Sequence, residues 1–133
     1  MLSLMITDFD ADPSRVTEIL GLTPTIALRA GEPTSAGRPS RASLWLYTMD
    51  GPEVQSGGSH AEALKWLLDV IASRGQRFAD VRRELNPKTM TITGGFYFNA
   101  GEQAGLWLDP DDMRLLADAG IGWGVDIYLT NNG

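Results

Sequence analysis

Three aspartates, Asp8, Asp10 and Asp12, alternate with Phe9 and Ala11 directly after an apolar segment. Carboxylates at this spacing could do two kinds of chemistry. The first could attack a phosphoryl group while the second transfers protons, or all three could hold a calcium ion as positions 1, 3 and 5 of a binding loop. A third interpretation needs no chemistry, because an aspartate can also cap the start of a helix.

The phosphoryl-transfer interpretation depends on the fold that surrounds the aspartates. Asp8-x-Asp10 at the end of a strand resembles the nucleophile motif of haloacid-dehalogenase phosphotransferases, but no threonine follows shortly after Asp10. That fold also needs parallel strands joined by helical crossovers. We expect a strand ending at Phe98 to be followed by another beginning at Gly105, and a connection that short makes a hairpin. The sequence therefore disfavours this fold.

The calcium-loop interpretation fails at two positions. Position 6 should be glycine and is Pro13, and position 12 should be glutamate and is Ile19. Asp12 followed by Pro13 is instead typical of a helix start, with the aspartate as N-cap and the proline in the first turn. Asp109-Pro110 repeats the same arrangement. We therefore interpret the aspartate cluster mainly as a strand-to-helix turn, and we predict no catalytic or metal-binding residue and no cofactor.

The elements that position these residues follow from the hydrophobic periodicity. Alternation predicts strands at residues 2–6, 89–98 and 123–130, and a further strand is expected at 105–108. Residues 43–49 are apolar on both faces, which predicts a central strand covered on both sides. Helices are expected after Asp12, after Ser59 with an interruption at Gly75, and after Asp109. The order β-α-β-α-(α)-β-β-α-β predicts an α+β fold, a ferredoxin-like or related two-layer sandwich with helices mainly on one face of a mixed five-stranded sheet. Residues 1–133 are expected to form a single domain.

Two further features could form a binding surface. Residues 23–42 are rich in proline, glycine, serine and threonine and are predicted to be a long loop, which several arginines make basic. The tryptophans are expected in the core, whereas two tyrosines alternate away from the apolar strand faces and would line an open sheet face. The residues of this candidate partner or ligand surface are Asp8, Asp10, Arg29, Glu32, Arg38, Arg41, Tyr97 and Tyr128.

Composition limits the classes of function. Cysteine is absent and His60 is the only histidine, which excludes thiol chemistry and multi-histidine metal sites. A net charge of −6 disfavours nucleic acid as a partner. No apolar run approaches the roughly 20 residues that span a bilayer, and the first residues lack the positive charge of a signal peptide. We therefore expect a cytoplasmic protein that does not bind membranes.

Charge is distributed unevenly along the chain. After Asn99 one basic residue, Arg114, faces six acids, which are Glu102, Asp109, Asp111, Asp112, Asp118 and Asp126. Such a surface suits a basic protein partner. The leading hypothesis is a non-catalytic protein-binding module, with an immunity-type antitoxin as its more specific form. The alternative is a small hydrolase or ligand-binding enzyme that acts on an anionic substrate through Asp8, Asp10 and the arginine-containing loop. Neither hypothesis sets the oligomeric state.

Short motifs over nearly the whole chain resemble one family. They include the segments Asp10-Ala11-Asp12-Pro13, Leu20-Gly21-Leu22-Thr23-Pro24-Thr25, Ala30-Gly31-Glu32, Ser43-Leu44-Trp45 and Val125-Asp126-Ile127-Tyr128. In these segments the chain is similar to the domain of unknown function DUF4279. The resemblance implies a small bacterial domain and assigns no catalytic residues.

Overall fold

The computed structural model describes residues 2–34, 36–49, 60–99 and 106–130. In these residues the chain forms five strands and four helices. The strands are β1 (Leu2–Thr7), β2 (Ile26–Leu28), β3 (Leu44–Met49), β4 (Thr89–Asn99) and β5 (Gly122–Thr130). The helices are α1 (Pro13–Leu20), α2 (His60–Ala72), α3 (Arg77–Leu85) and α4 (Pro110–Ala119).

The strands form one sheet in the order β2-β3-β1-β4-β5. The central strand β1 is antiparallel to both of its neighbours, β3 and β4. The edge strand β2 is antiparallel to β3, whereas β5 is parallel to β4 and is reached through helix α4. The predicted α+β class and the mixed five-stranded sheet are therefore confirmed.

All four helices pack on the same face of this sheet. Leu2, Leu4 and Ile6 of β1 are completely buried, and their cross-strand partners include Trp45 and Ile92 on the same face. One hydrophobic core joins this face to apolar residues of every helix, among them Val16, Leu20, Leu67, Ile71, Phe78, Val81 and Leu116. The two-layer arrangement is thus the expected one, with the helices as one layer and the sheet as the other.

The opposite face of the sheet carries no layer of helices in the described part of the chain. Its residues alternate with the core residues of each strand, and we call it the open face. Hydroxyl side chains meet towards both ends of β1 on this face, where Ser3 hydrogen-bonds Thr48 at 2.9 Å and Thr7 hydrogen-bonds Thr89. Met5 lies between them and joins an apolar group with Ile26, Leu28, Leu44 and Leu46, of which Ile26 is exposed and the others are half-buried.

The element order differs from the predicted one at two places. Residues 106–108 do not form a strand, and Gly105 lies outside the described residues. The predicted hairpin is therefore wrong, because β4 is followed by α4 and the parallel strand β5. The missing strand is replaced by β2, which lies within the segment predicted to be a loop. The observed order is β-α-β-β-α-α-β-α-β.

The direction of its strands, and not a short hairpin, distinguishes this fold from that of the phosphotransferases. A helical crossover does occur, between β4 and β5, so the argument from a short hairpin does not hold. The strand that carries Asp8 is nevertheless antiparallel to both of its neighbours. A doubly wound parallel sheet needs its nucleophile strand parallel to them. The fold therefore differs from that of the phosphotransferases.

Both predicted Asp-Pro helix starts are present. Asp12 accepts a hydrogen bond from the Ser14 backbone N–H, and Pro13 occupies the first turn of α1. Asp109 and Asp112 form a capping box at the start of α4, in which each side chain accepts a hydrogen bond from the backbone N–H of the other. In the described part of the chain, none of the helices combines the length and apolar character that crossing a bilayer requires.

Candidate functional site

The aspartate cluster forms the turn between β1 and α1. Phe9 is buried in the core, while Asp8 and Asp10 are exposed on either side of it. Asp8 has a left-handed backbone with φ of 57°. Its N–H donates to the Ser43 carbonyl at 2.9 Å, and its carbonyl accepts from the Lys88 N–H at 3.1 Å. The alternation of acidic and apolar residues is thus produced by a turn that is anchored through Phe9.

Asp12 caps helix α1 and pairs with an arginine. Its Oδ1 accepts from the Ser14 N–H at 2.9 Å, and its Oδ2 lies 2.9 Å from Nε of Arg29. The Ser14 hydrogen bonds, helped by the charge of Arg29, lower the pKa of the Asp12 carboxyl group below its usual value. Arg29 therefore pairs with the capping aspartate.

The arginine-containing segment is more ordered than a long loop. After β2 it forms a small hairpin, in which Ser40 N–H donates to the Glu32 carbonyl and Thr34 N–H donates to the Arg38 carbonyl, both at 2.7 Å. Glu32 is half-buried in this hairpin, whereas Arg38 and the following Arg41 are exposed. Residue 35 lies outside the description. The predicted long loop is therefore interrupted by strand β2 and by this small hairpin.

The predicted surface falls into two separate parts. The turn at Asp8 follows the end of β1 at which Thr7 pairs with Thr89 of β4. Tyr97 and Tyr128 are paired in the β4–β5 register, eight residues further along β4, which corresponds to about 26 Å. The Tyr128 side chain is 46% exposed, and the side chain of Tyr97 lies outside the described part of the structure. The tyrosines and the aspartate turn therefore do not form one site.

The cap at Asp12 leads to a prediction about pH. Because the folded state lowers the pKa of this carboxyl group, its ionised form stabilises the fold above the unfolded-state pKa of about 3.9. This contribution is lost as the pH falls through the lower, folded-state pKa. Asp12→Asn keeps an oxygen that can cap the helix and removes the charge. We expect the variant to be less stable than the wild type at pH 7, with the difference disappearing at acidic pH, as measured by urea unfolding between pH 7 and pH 2.

Asp10→Asn is the matched control for this experiment, because Asp10 is an exposed aspartate in the same turn. Its substitution removes the same charge from a residue that does not cap the helix, so it should not reproduce the pH-dependent difference expected for Asp12→Asn. A stability difference between wild type and Asp12→Asn that stays constant over the whole pH range would contradict the assigned role of the Asp12 charge.

A second candidate site lies between helices α2 and α4. It is a cavity of about 320 Å³, which we call the α2–α4 groove, and it combines apolar and charged side chains. The residues that line it are Ala61, Leu64, Lys65, Leu68, Asp69, Trp107, Asp109 and Asp112. Its volume is at the lower end of the range of about 300 to 1,000 Å³ that is usual for ligand pockets.

Local sequence patterns place each side of this groove. Leu64 and Leu68 are four residues apart on α2 and are buried, so they form its apolar floor. Leu106 and Leu108 pack against the core on either side of Trp107, which therefore faces outward and is 86% exposed. The carboxylates of Asp109 and Asp112 are held by the capping box of α4, where Asp112 N–H donates to Asp109 Oδ1 at 2.8 Å.

The arrangement is suited to binding a cation that has an apolar part. Asp69, Asp109 and Asp112 supply three carboxylates against the single ammonium group of Lys65. Trp107 adds an aromatic ring, the preferred partner in cation–π contacts. Within the described ranges, no group of three or more histidine, cysteine, aspartate or glutamate side chains is placed to hold a metal ion.

This groove was not predicted from the sequence. The tryptophans were expected in the core, which is correct for the fully buried Trp45 and wrong for the exposed Trp66 and Trp107. Asp109 and Asp112 fall in the acidic C-terminal region, but no local pattern connects them with Asp69 on another helix. The available signal was Trp107 between two leucines, directly before a helix cap, because that alternation leaves the indole facing solvent.

These features define a class of protein, an α+β sandwich with one helical layer, an open sheet face and an acidic groove. The family model described as domain of unknown function (DUF4279) matches residues 1–130. The chain therefore belongs to this family, as the sequence motifs indicated. Comparison with curated proteins and with solved structures gives no match.

Proposed function

We propose that this chain is a non-catalytic protein-binding module whose partner is a basic protein. The observation that carries the proposal is the exposed acidic surface of helix α4, which adjoins Trp107. Asp109, Asp111, Asp112 and Asp118 lie on or directly before this helix, and Arg114 is its only basic residue. Arg114 itself pairs with Asp111 at 2.5 Å, across a turn of the helix.

Charge and shape both favour this type of partner. A single-sign surface attracts an oppositely charged protein over distances of about one Debye length, roughly 8 Å at physiological salt. Exposed tryptophans are enriched among the residues that contribute most to protein–protein binding. The specific form of the proposal is an immunity-type antitoxin, in which this acidic chain of net charge −6 binds and blocks a basic toxin.

The enzyme alternative has less support. It requires Asp8, Asp10 and the arginines of the hairpin to act on one anionic substrate. Arg29 instead pairs with Asp12, and Asp12 is already engaged in capping α1. Asp8 and Asp10 are exposed on a turn whose backbone forms hydrogen bonds with Ser43, directly before β3, and with Lys88, directly before β4. In the protein-binding proposal Asp109 and Asp112 also cap a helix, but Trp107 and Asp118 are exposed and cap none.

Co-purification from the native host tests the proposal. The tagged chain should retain a protein with a net positive charge, identified by mass spectrometry, and the immunity form predicts that this protein is encoded beside the chain. Affinity should fall about tenfold or more between low and moderately high salt, because surface charges are screened. An acidic partner, or an affinity that does not change with salt, would contradict the proposal. Turnover of an anionic substrate that Asp8→Asn abolishes would favour the alternative.

A further inference from the structure

We propose that the α2–α4 groove receives one lysine or arginine side chain of the partner, an inference that rests on the proposed function and specifies its contact. The groove is the place where the acidic surface of α4 meets apolar residues of α2. A long cationic side chain has the same division, with an aliphatic stem and a charged end. The groove therefore offers both kinds of surface that such a side chain needs.

The apolar part of the groove fits the stem of such a side chain. Leu64 and Leu68 are buried at the floor, and the indole of Trp107 forms an exposed wall. Methylene groups that lie on leucine side chains and against an indole are removed from water, which is favourable. The ring also attracts the positive charge at the end of the stem.

The charged part of the groove selects a cation. Asp69 from α2 lines the groove together with Asp109 and Asp112 from the start of α4, and Lys65 is the one opposing charge among the lining residues. The positive end of the α4 dipole disfavours a cation by the equivalent of about half a charge. Two full carboxylate charges at the same helix start outweigh it.

The same capping box argues against an anionic ligand. A phosphate or carboxylate at a helix start needs backbone N–H groups that point at it. The Asp112 N–H already donates to Asp109, and the Asp109 N–H donates to Asp112 at 3.1 Å. An anion would therefore meet three carboxylates and would lack these two donors.

Short peptides test the groove without the partner. The probes are capped tripeptides with arginine, lysine or glutamate between two glycines, added to the ¹⁵N-labelled chain. The indole N–H signal of Trp107 is assigned from its loss in Trp107→Phe. We expect the arginine and lysine peptides to shift this signal in a saturable way, and the glutamate peptide to leave it unchanged. The relative affinity of the two cationic peptides shows which side chain fits better.

Two aspartate variants make the test specific. Asp69→Asn removes a groove carboxylate that is exposed on α2 and does not cap α4, so the fold should be retained. It should weaken peptide binding about three- to tenfold. Asp10→Asn removes the same charge at the aspartate turn and should leave binding unchanged. Equal effects of the two variants, or no shift of the Trp107 signal at millimolar peptide, would overturn the inference.

The outcome for the groove is separable from that for the proposed function. If a basic partner co-purifies but Asp69→Asn binds it as tightly as the wild type does, the groove assignment is wrong and the protein-binding function stands. If the cationic peptides bind at Trp107 but the retained partner is acidic, the proposed function is wrong.

Discussion

Trp107→Ala is expected to weaken binding of the basic partner by about 30-fold or more, equivalent to about 2 kcal/mol, while the stability of the fold changes little. The indole is 86% exposed, so its removal opens no cavity in the core. Surface substitutions of this kind usually change the free energy of unfolding by less than about 0.5 kcal/mol. Isothermal titration with the co-purified partner and urea unfolding of the free chain measure the two quantities.

Trp66→Ala is a matched control for this prediction. Trp66 lies on α2 and is 40% exposed, but it is not one of the residues that line the groove. Its substitution should affect binding much less than Trp107→Ala does. Equal losses of affinity for both variants would show that exposed aromatic area in general, and not the groove, determines binding.

The second large effect concerns stability. Trp45→Ala is expected to lower the free energy of unfolding by about 3 to 5 kcal/mol. The Trp45 side chain is completely buried between β3 and α1, and its Nε1–H donates to Oγ1 of Thr17 at 3.1 Å. Its ring also stacks on Tyr47, with centroids 6.3 Å apart. Because domains of this size are stable by only about 5 to 15 kcal/mol, guanidinium unfolding should show a much lower midpoint.

Trp45→Phe separates the two contributions of this side chain. It keeps an aromatic ring in the core and removes the indole donor, so Thr17 loses one hydrogen-bond partner. We expect Trp45→Phe to lower the free energy of unfolding less than Trp45→Ala does, because the phenyl ring still fills part of the site that alanine leaves empty. A loss below about 1 kcal/mol for Trp45→Ala would contradict the placement of Trp45 in the core.

The helix starts could be predicted from the sequence because their cause is local. Asp12 and Asp109 each cap a helix whose first turn contains the following proline, so five or six residues contain all the necessary information. The ends of these helices have an equally local cause, because Gly21 and Gly120 take the left-handed backbone that terminates each of them. The layer of helices on one sheet face follows from their apolar stripes.

The errors occurred where structure depends on distant partners. Leu106 and Leu108 alternate with Trp107 as in a strand, but the alternation arises because a coil segment lies over the core. Strand β2 has only three residues and is held by pairing with β3, about 18 residues further along the chain. Local residue preferences indicate a loop there, and only the pairing makes it a strand.

Only the local part of the groove could be predicted from the sequence. Clustering of acids near α4 is visible in the sequence, whereas the approach of Asp69 to Trp107 depends on the packing of α2 against α4. The prediction that strand β3 is covered on both sides is wrong. Leu44 and Leu46 are apolar, yet they lie on the open face.

The most direct test of the protein-binding function compares two variants in their affinity for the co-purified basic partner. Asp111 and Asp118 are exposed on α4 and do not cap it, so the double variant Asp111→Asn, Asp118→Asn removes two acidic charges and keeps the helix. Asp8→Asn, Asp10→Asn removes two charges at the aspartate turn, which is not part of α4. We expect a loss of affinity of about tenfold for the α4 variant at low salt, a smaller loss at high salt, and wild-type affinity for the turn variant. Wild-type affinity for the α4 variant together with a loss for the turn variant would contradict it.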